Sequence, residues 1–141
     1  MLRVMVVDES PECAERLRQG LGEAGHVVVA TLTSTVDIYE RVEREQPDII
    51  VINDDSPNRD SLEQICVVSQ HRPKPIVLFT QNQDSNTIEA AVRAGVSAYI
   101  VDGLESSRVR AILNVAVAHF NQYQALQKEL VQSKVKIDDR K

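Results

Sequence analysis

Asp8 and Glu9 stand side by side, directly after the apolar run Leu2–Val7 and directly before Ser10-Pro11. Adjacent carboxylates at a strand end suit a hard divalent cation such as Mg²⁺, which takes oxygen ligands and keeps several waters. The same pair would also charge a helix N-terminus favourably. Asn53-Asp54-Asp55 follow another apolar run, Ile49–Ile52. Side chains alternate along a strand, so Asn53 continues the face of Ile49 and Val51, and Asp54 points the other way. Asn-Asp-Asp-Ser is equally a common turn composition. Thr80 closes a further run, where its hydroxyl could bond an oxyanion or simply serve as a β-former. Tyr99 lies inside the next run and reads as a half-buried aromatic.

Other chemistries lack their residues. The five glycines are isolated, so no Gly-rich loop is present to cradle a phosphate. His26, His71 and His119 have no mutual spacing that suggests a zinc site or a catalytic triad. No catalytic residue is assigned, and the chain reads as a non-enzyme.

These residues need a frame to hold them. At 141 residues the chain has the length of one domain with a single core. A hydrophobic fraction of 43% and a charged fraction of 26% exclude a disordered or fibrous chain. No run approaches the roughly 20 apolar residues of a membrane span. The two cysteines, Cys13 and Cys66, fall in helical patterns and read as reduced core thiols of a cytoplasmic protein. Charge is uneven. Residues 1–107 carry 9 Lys and Arg against 18 Asp and Glu, whereas 108–141 carry 7 against 3. An acidic body with a basic tail suggests two tasks within one chain.

The apolar runs 2–7, 26–32, 49–52, 76–79 and 98–101 alternate with amphipathic stretches. Ser10 caps the first helix, with Pro11 at its first position, and Ala14, Leu17, Leu21 and Ala24 share one face. Gly25 ends it. The second helix is expected from about Ser34 to Glu45, with Val36, Tyr39 and Val42 inward. A third carries Leu62, Ile65, Cys66 and Val68, and a fourth runs from about Ser85 to Ala94. Runs that are apolar throughout imply strands covered on both faces, hence a parallel sheet between two helix layers. In such sheets the functional crevice lies at the carboxyl ends of the strands, where Asp8 and Glu9, Thr33, Asn53 to Asp55, Thr80 and Gln81, and Asp102 fall.

The last helix is expected from Ser106 to about Lys134, roughly 44 Å long at 1.5 Å per residue, against a domain radius of gyration of about 13 Å. It therefore outruns its own domain. Val109, Ile112, Ala116, His119, Tyr123, Leu126, Leu130, Ser133 and Ile137 recur at alternating spacings of three and four, a heptad seam. Leu113, Val117 and Phe120 form a second stripe that can pack on the sheet. This predicts a parallel homodimer through the helix.

Together, VVDES after the first strand, PDIIVINDDSP around the third, FT at the fourth and AGVSAYIVDG at the fifth resemble the receiver domain of two-component response regulators, the CheY-like group. The resemblance covers about residues 2–122. It implies a flavodoxin-like three-layer αβα fold with five parallel strands in the order 2-1-3-4-5, followed by a C-terminal helical extension at 123–141. SPNRDSLEQ, RPKPIVLFTQ and HFNQYQALQKEL are similar to NasT-type regulators. In that family a receiver precedes a small RNA-binding ANTAR module that drives transcription antitermination, under a partner sensor protein. The chain stops about where that module would begin. RNA binding would thus belong to a module missing here, with a sensor protein or histidine kinase upstream and no membrane partner.

Carried over by residue, the resemblance makes Asp8 and Glu9 the pair that binds Mg²⁺, Thr80 the hydroxyl that meets a phosphoryl group, and Tyr99 the switch aromatic. Two positions depart. Asn53 stands at the phosphoacceptor position, and Asp102 stands where the family has lysine. An amide oxygen is a poor nucleophile toward phosphorus, and Asp102 adds negative charge where lysine would neutralise it. Asp55, and less readily Asp54, are the alternative acceptors. The expected behaviour is control by protein contacts, with phosphorylation dispensable.

Overall fold

A computed structural model describes residues 1–101 and 106–139. The strands are β1 (Arg3–Asp8), β2 (Val27–Leu32), β3 (Ile49–Asn53), β4 (Ile76–Thr80) and β5 (Ala98–Val101). They form one sheet in the order β2-β1-β3-β4-β5, every neighbouring pair parallel. The helices are α1 (Pro11–Glu23), α2 (Ile38–Glu45), α3 (Arg59–His71), α4 (Ser85–Ala94) and α5 (Ser106–Asp139). The expected flavodoxin-like order is the observed one.

The period of two along each strand divides the core between two faces. Val4, Val6, Ile49, Val51, Val77 and Phe79 meet α1 and α5 through Leu17, Leu21, Val109, Leu113 and Ala116. Met5, Val7, Ile50, Ile52, Ile76 and Leu78 meet α2, α3 and α4 through Ile38, Val42, Ile65, Val68 and Ala91. Ser10 caps α1 as expected, its Oγ accepting the Cys13 N–H at 3.3 Å.

Four expectations are corrected. Helix α2 starts at Ile38 rather than Ser34, and Val36 is 71% exposed rather than inward. The Ser34 hydroxyl accepts the Val36 N–H at 3.3 Å, and this local turn takes the donor a helix would have organised. Cys13 and Cys66 are free but only half-buried, Cys66 at the core's edge. On α5, Ala116 is fully buried in the chain's own core and Ile112 packs against it, so neither is free for a dimer seam. Beyond them Tyr123, Leu126 and Leu130 are more than half exposed. Helix α5 continues to Asp139, past the expected end. Among the described residues no helix is long and apolar enough to cross a membrane.

His26 joins the start of β1 to the start of β2. Its Nδ1 accepts the Leu2 N–H at 3.1 Å, and its Nε2 is buried without a hydrogen-bond partner. Burial, then the positive charges of the chain's amino terminus and Arg110, hold its pKa below the ordinary 6.5. The unfolded chain therefore takes up a proton near pH 6.5 that the folded chain refuses. Stability is complete above that pH and declines as pH falls below it. Chemical denaturation from pH 7.5 to 5 should show that slope, and His26→Asn should flatten it.

Candidate functional site

Register brings the first two candidates together. Strands β1 and β3 pair from Val4↔Ile49 to Asp8↔Asn53, so Asp8 and Asn53 are neighbours on the α1 face of the sheet. Asp8 is buried, at 4% exposure. Its Oδ1 accepts the Ser10 N–H at 2.9 Å, and its Oδ2 accepts the Asn53 Nδ2–H at 3.1 Å. Asp8 thus orders the turn into α1 while being met from β3. The amide orientation of Asn53 follows from its neighbour, because the opposite flip would set Oδ1 against a carboxylate oxygen.

Around this pair opens a cleft of about 690 Å³ at the carboxyl ends of β1 and β3. Asp8, Glu9, Asp54, Asp55, Asp60 and Glu63 line it, and no Lys, Arg or His is among its described lining residues. Such a wall repels an incoming phosphoryl dianion. Asp54, on the other face from Asn53, continues the ladder through its N–H, which donates to the Phe79 carbonyl at 2.9 Å. Its Oδ1 accepts the Ser56 N–H at 3.0 Å, closing a turn. Asp55 is exposed beyond the strand end.

The donor set fits Mg²⁺ poorly. Among the described residues no group of three or more His, Cys, Asp or Glu is placed to hold a metal ion. Both Asp8 oxygens already accept hydrogen bonds, and Asn53 presents an N–H₂ rather than an oxygen to the same point. A cation there would have to break that bond and turn the amide over.

Thr80 and Tyr99 do not line this cleft. Thr80 lies on the same face as Leu78, and Tyr99 packs against that face's core from β5, opposite the Asp8–Asn53 pair. The two enclose the loop after β4. The Thr80 Oγ1 accepts the Asn82 N–H at 3.1 Å, and the Tyr99 hydroxyl donates to the Asn82 carbonyl at 2.7 Å. Burial raises the Tyr99 phenol above the ordinary 10.0. A hydrogen bond from Thr80 acts the other way, and the Asp84 charge adds to the rise. The expected oxyanion role of the Thr80 hydroxyl meets a group only 2% exposed and already engaged. Asp102 lies outside the described residues.

A family model for the response regulator receiver domain matches residues 4–114. The chain belongs to the response regulator receiver family. It is 25% identical over 139 residues to the transcriptional regulatory protein PdtaR of Mycobacterium tuberculosis, covering 99% of this chain and 68% of that protein. Among solved structures, a pilus assembly-related protein of Burkholderia pseudomallei is similar at TM-score 0.75 and 26% identity, covering 84% of this chain and 91% of that one. The response regulator domain of Thermotoga maritima CheB shares the fold at TM-score 0.70 and 18% identity, covering 86% and 97%.

Sequence reasoning singled out Asp8, Asn53, Thr80 and Tyr99 but not Asn82, which Thr80 and Tyr99 enclose. Its part is played by backbone atoms, for which side-chain type carries no signal. Removing the hydroxyl by Tyr99→Phe should cost about 1 kcal/mol, the net worth of one hydrogen bond. It should also speed amide exchange at Asn82 markedly more than at core amides of β4, read by two-dimensional NMR.

Proposed function

We propose that the chain is the signalling receiver of an antitermination regulator, governed by protein contacts rather than by phosphorylation. The observation that carries this is Asn53. The residue at the end of β3, in register with Asp8, is an amide whose N–H₂ donates to that carboxylate. It offers no carboxylate oxygen to attack phosphorus, and the surrounding wall is acidic. Asp8 and Glu9, the pair the resemblance assigns to Mg²⁺, are not read as a metal site here, because both Asp8 oxygens already accept hydrogen bonds. A partner protein, either a sensor or a histidine kinase, acts by binding one conformer of the receiver better than another. The output would lie in an RNA-binding module of the ANTAR kind following residues 123–141, and the setting is the cytoplasm. The match to a transcriptional regulator continues through α5, beyond the span of the receiver family model, which supports a transcriptional output.

The test is intact mass after incubation with acetyl phosphate and Mg²⁺. The chain should gain no phosphoryl adduct, whereas Asn53→Asp should gain one. An adduct on the unaltered chain would refute contact-only control, and fragmentation would then place it on Asp55 or Asp54.

The homodimer reading, moved along α5, now rests on Tyr123, Leu126 and Leu130, each more than half exposed, with His119 at its start. These apolar side chains recur at heptad spacing beyond the part of α5 that its own domain covers. Light scattering at high micromolar concentration should give twice the chain mass, and Leu126→Lys should return the monomer. A monomer for the unaltered chain would sink the dimer.

A further inference from the structure

We infer that the Asn53 side chain is a built-in replacement for a cation. It completes the crevice around Asp8, so that the receiver folds to and holds its crevice without any metal. This deepens the reading above and rests on it only for the crevice's indifference to phosphoryl donors.

The argument starts from burial. Asp8 is the one carboxylate among the described residues that is removed from water, at 4% exposure. A buried carboxylate has to be met by donors or by positive charge. The Ser10 N–H meets one oxygen, and no Lys, Arg or His among the described residues lines the cleft to meet the other. The strand register then decides what stands opposite. Asp8 and Asn53 are directly paired on parallel neighbours, and their side chains leave the sheet on the same face. A carboxylate at residue 53 would set two like charges side by side, with Glu9 and Asp54 close by in sequence. That arrangement demands a proton or a bound cation. An amide demands neither, because its N–H₂ is a donor aimed at Oδ2 over 3.1 Å. The nitrogen therefore stands where positive charge would otherwise be needed, and it is covalently part of β3.

The consequence is one of state. A crevice that depends on a metal changes with metal supply, whereas this one is complete on folding. From it the ladder runs on through the Asp54 N–H to the Phe79 carbonyl, and so to β4 beside Thr80. Signals must then reach this receiver through its outer surface, because its crevice has no vacant function to fill.

Thermal unfolding of the whole chain in EDTA and in millimolar MgCl₂ tests this. The unaltered chain should melt at the same temperature in both. Asn53→Asp should melt roughly 5 °C lower in EDTA and regain the loss with Mg²⁺. The double substitution Asp8→Asn with Asn53→Asp rebuilds an amide–carboxylate pair with the partners exchanged. It should recover stability in EDTA and lose the response to Mg²⁺. This variant also decides the matter if Asn53→Asp alone does not fold. A clear rise in the melting temperature of the unaltered chain with Mg²⁺ would overturn the inference. So would an Asn53→Asp chain as stable in EDTA as the unaltered one, or a double variant that recovers nothing. These outcomes are independent of the phosphoryl adduct. A chain that gains stability from Mg²⁺ yet takes no phosphoryl group would refute the inference alone. An unaltered chain that is phosphorylated would refute contact-only control.

Discussion

A carboxylate taken out of water must be met on every side, and Asp8 sets this condition for the receiver. It closes the last turn of β1 into α1 by accepting the Ser10 N–H, and Ser10 in turn caps α1. Its second oxygen is met from β3 by Asn53. The pairing of β1 with β3, the start of α1 and the floor of the acidic cleft thus meet at one side chain. A change there is felt by a strand pair and a helix together.

The sheet separates two pairs of polar side chains by its own pleat. Asp8 and Asn53 rise on the face covered by α1 and α5, whereas Thr80 and Tyr99 belong to the face covered by α2, α3 and α4. No side chain joins the pairs directly among the hydrogen bonds described. The link is backbone, through the Asp54 N–H on the Phe79 carbonyl. Around Asn82, Thr80 and Tyr99 hold the backbone of one residue from both sides, Thr80 at its N–H and Tyr99 at its carbonyl, and so hold the approach to α4. Coupling across the receiver would pass through a rigid rim of strand ends, and it would be mechanical more than electrostatic.

Much of this was legible in residue order. Runs such as Ile49–Ile52, apolar at every position, could only be strands covered on both faces, and all four of these residues are buried. Ser10-Pro11 marked the start of α1 because cap chemistry is local. The failures were equally physical. Val36 reads as an inward helical residue by spacing, yet the Ser34 hydroxyl competes for its N–H and ends the pattern. Ile112 and Ala116 fit a heptad with Tyr123 and Leu126, but a heptad does not say what covers it. The first part of the stripe is covered by the domain, while the last part is exposed.

Composition and order by themselves determined the alternation of strands and helices, the parallel sheet, and the presence of an amide, Asn53, at the end of the third apolar run. These follow from local rules: the period of the apolar pattern and the chemistry of caps. Only the tertiary structure decided that Asn53 faces Asp8, that its N–H₂ rather than its oxygen meets the carboxylate, and that Thr80 and Tyr99 close on Asn82. Each of those facts depends on register between strands distant in the chain. Register is a property of the packed sheet, because a slip of one residue would turn every side chain to the other face.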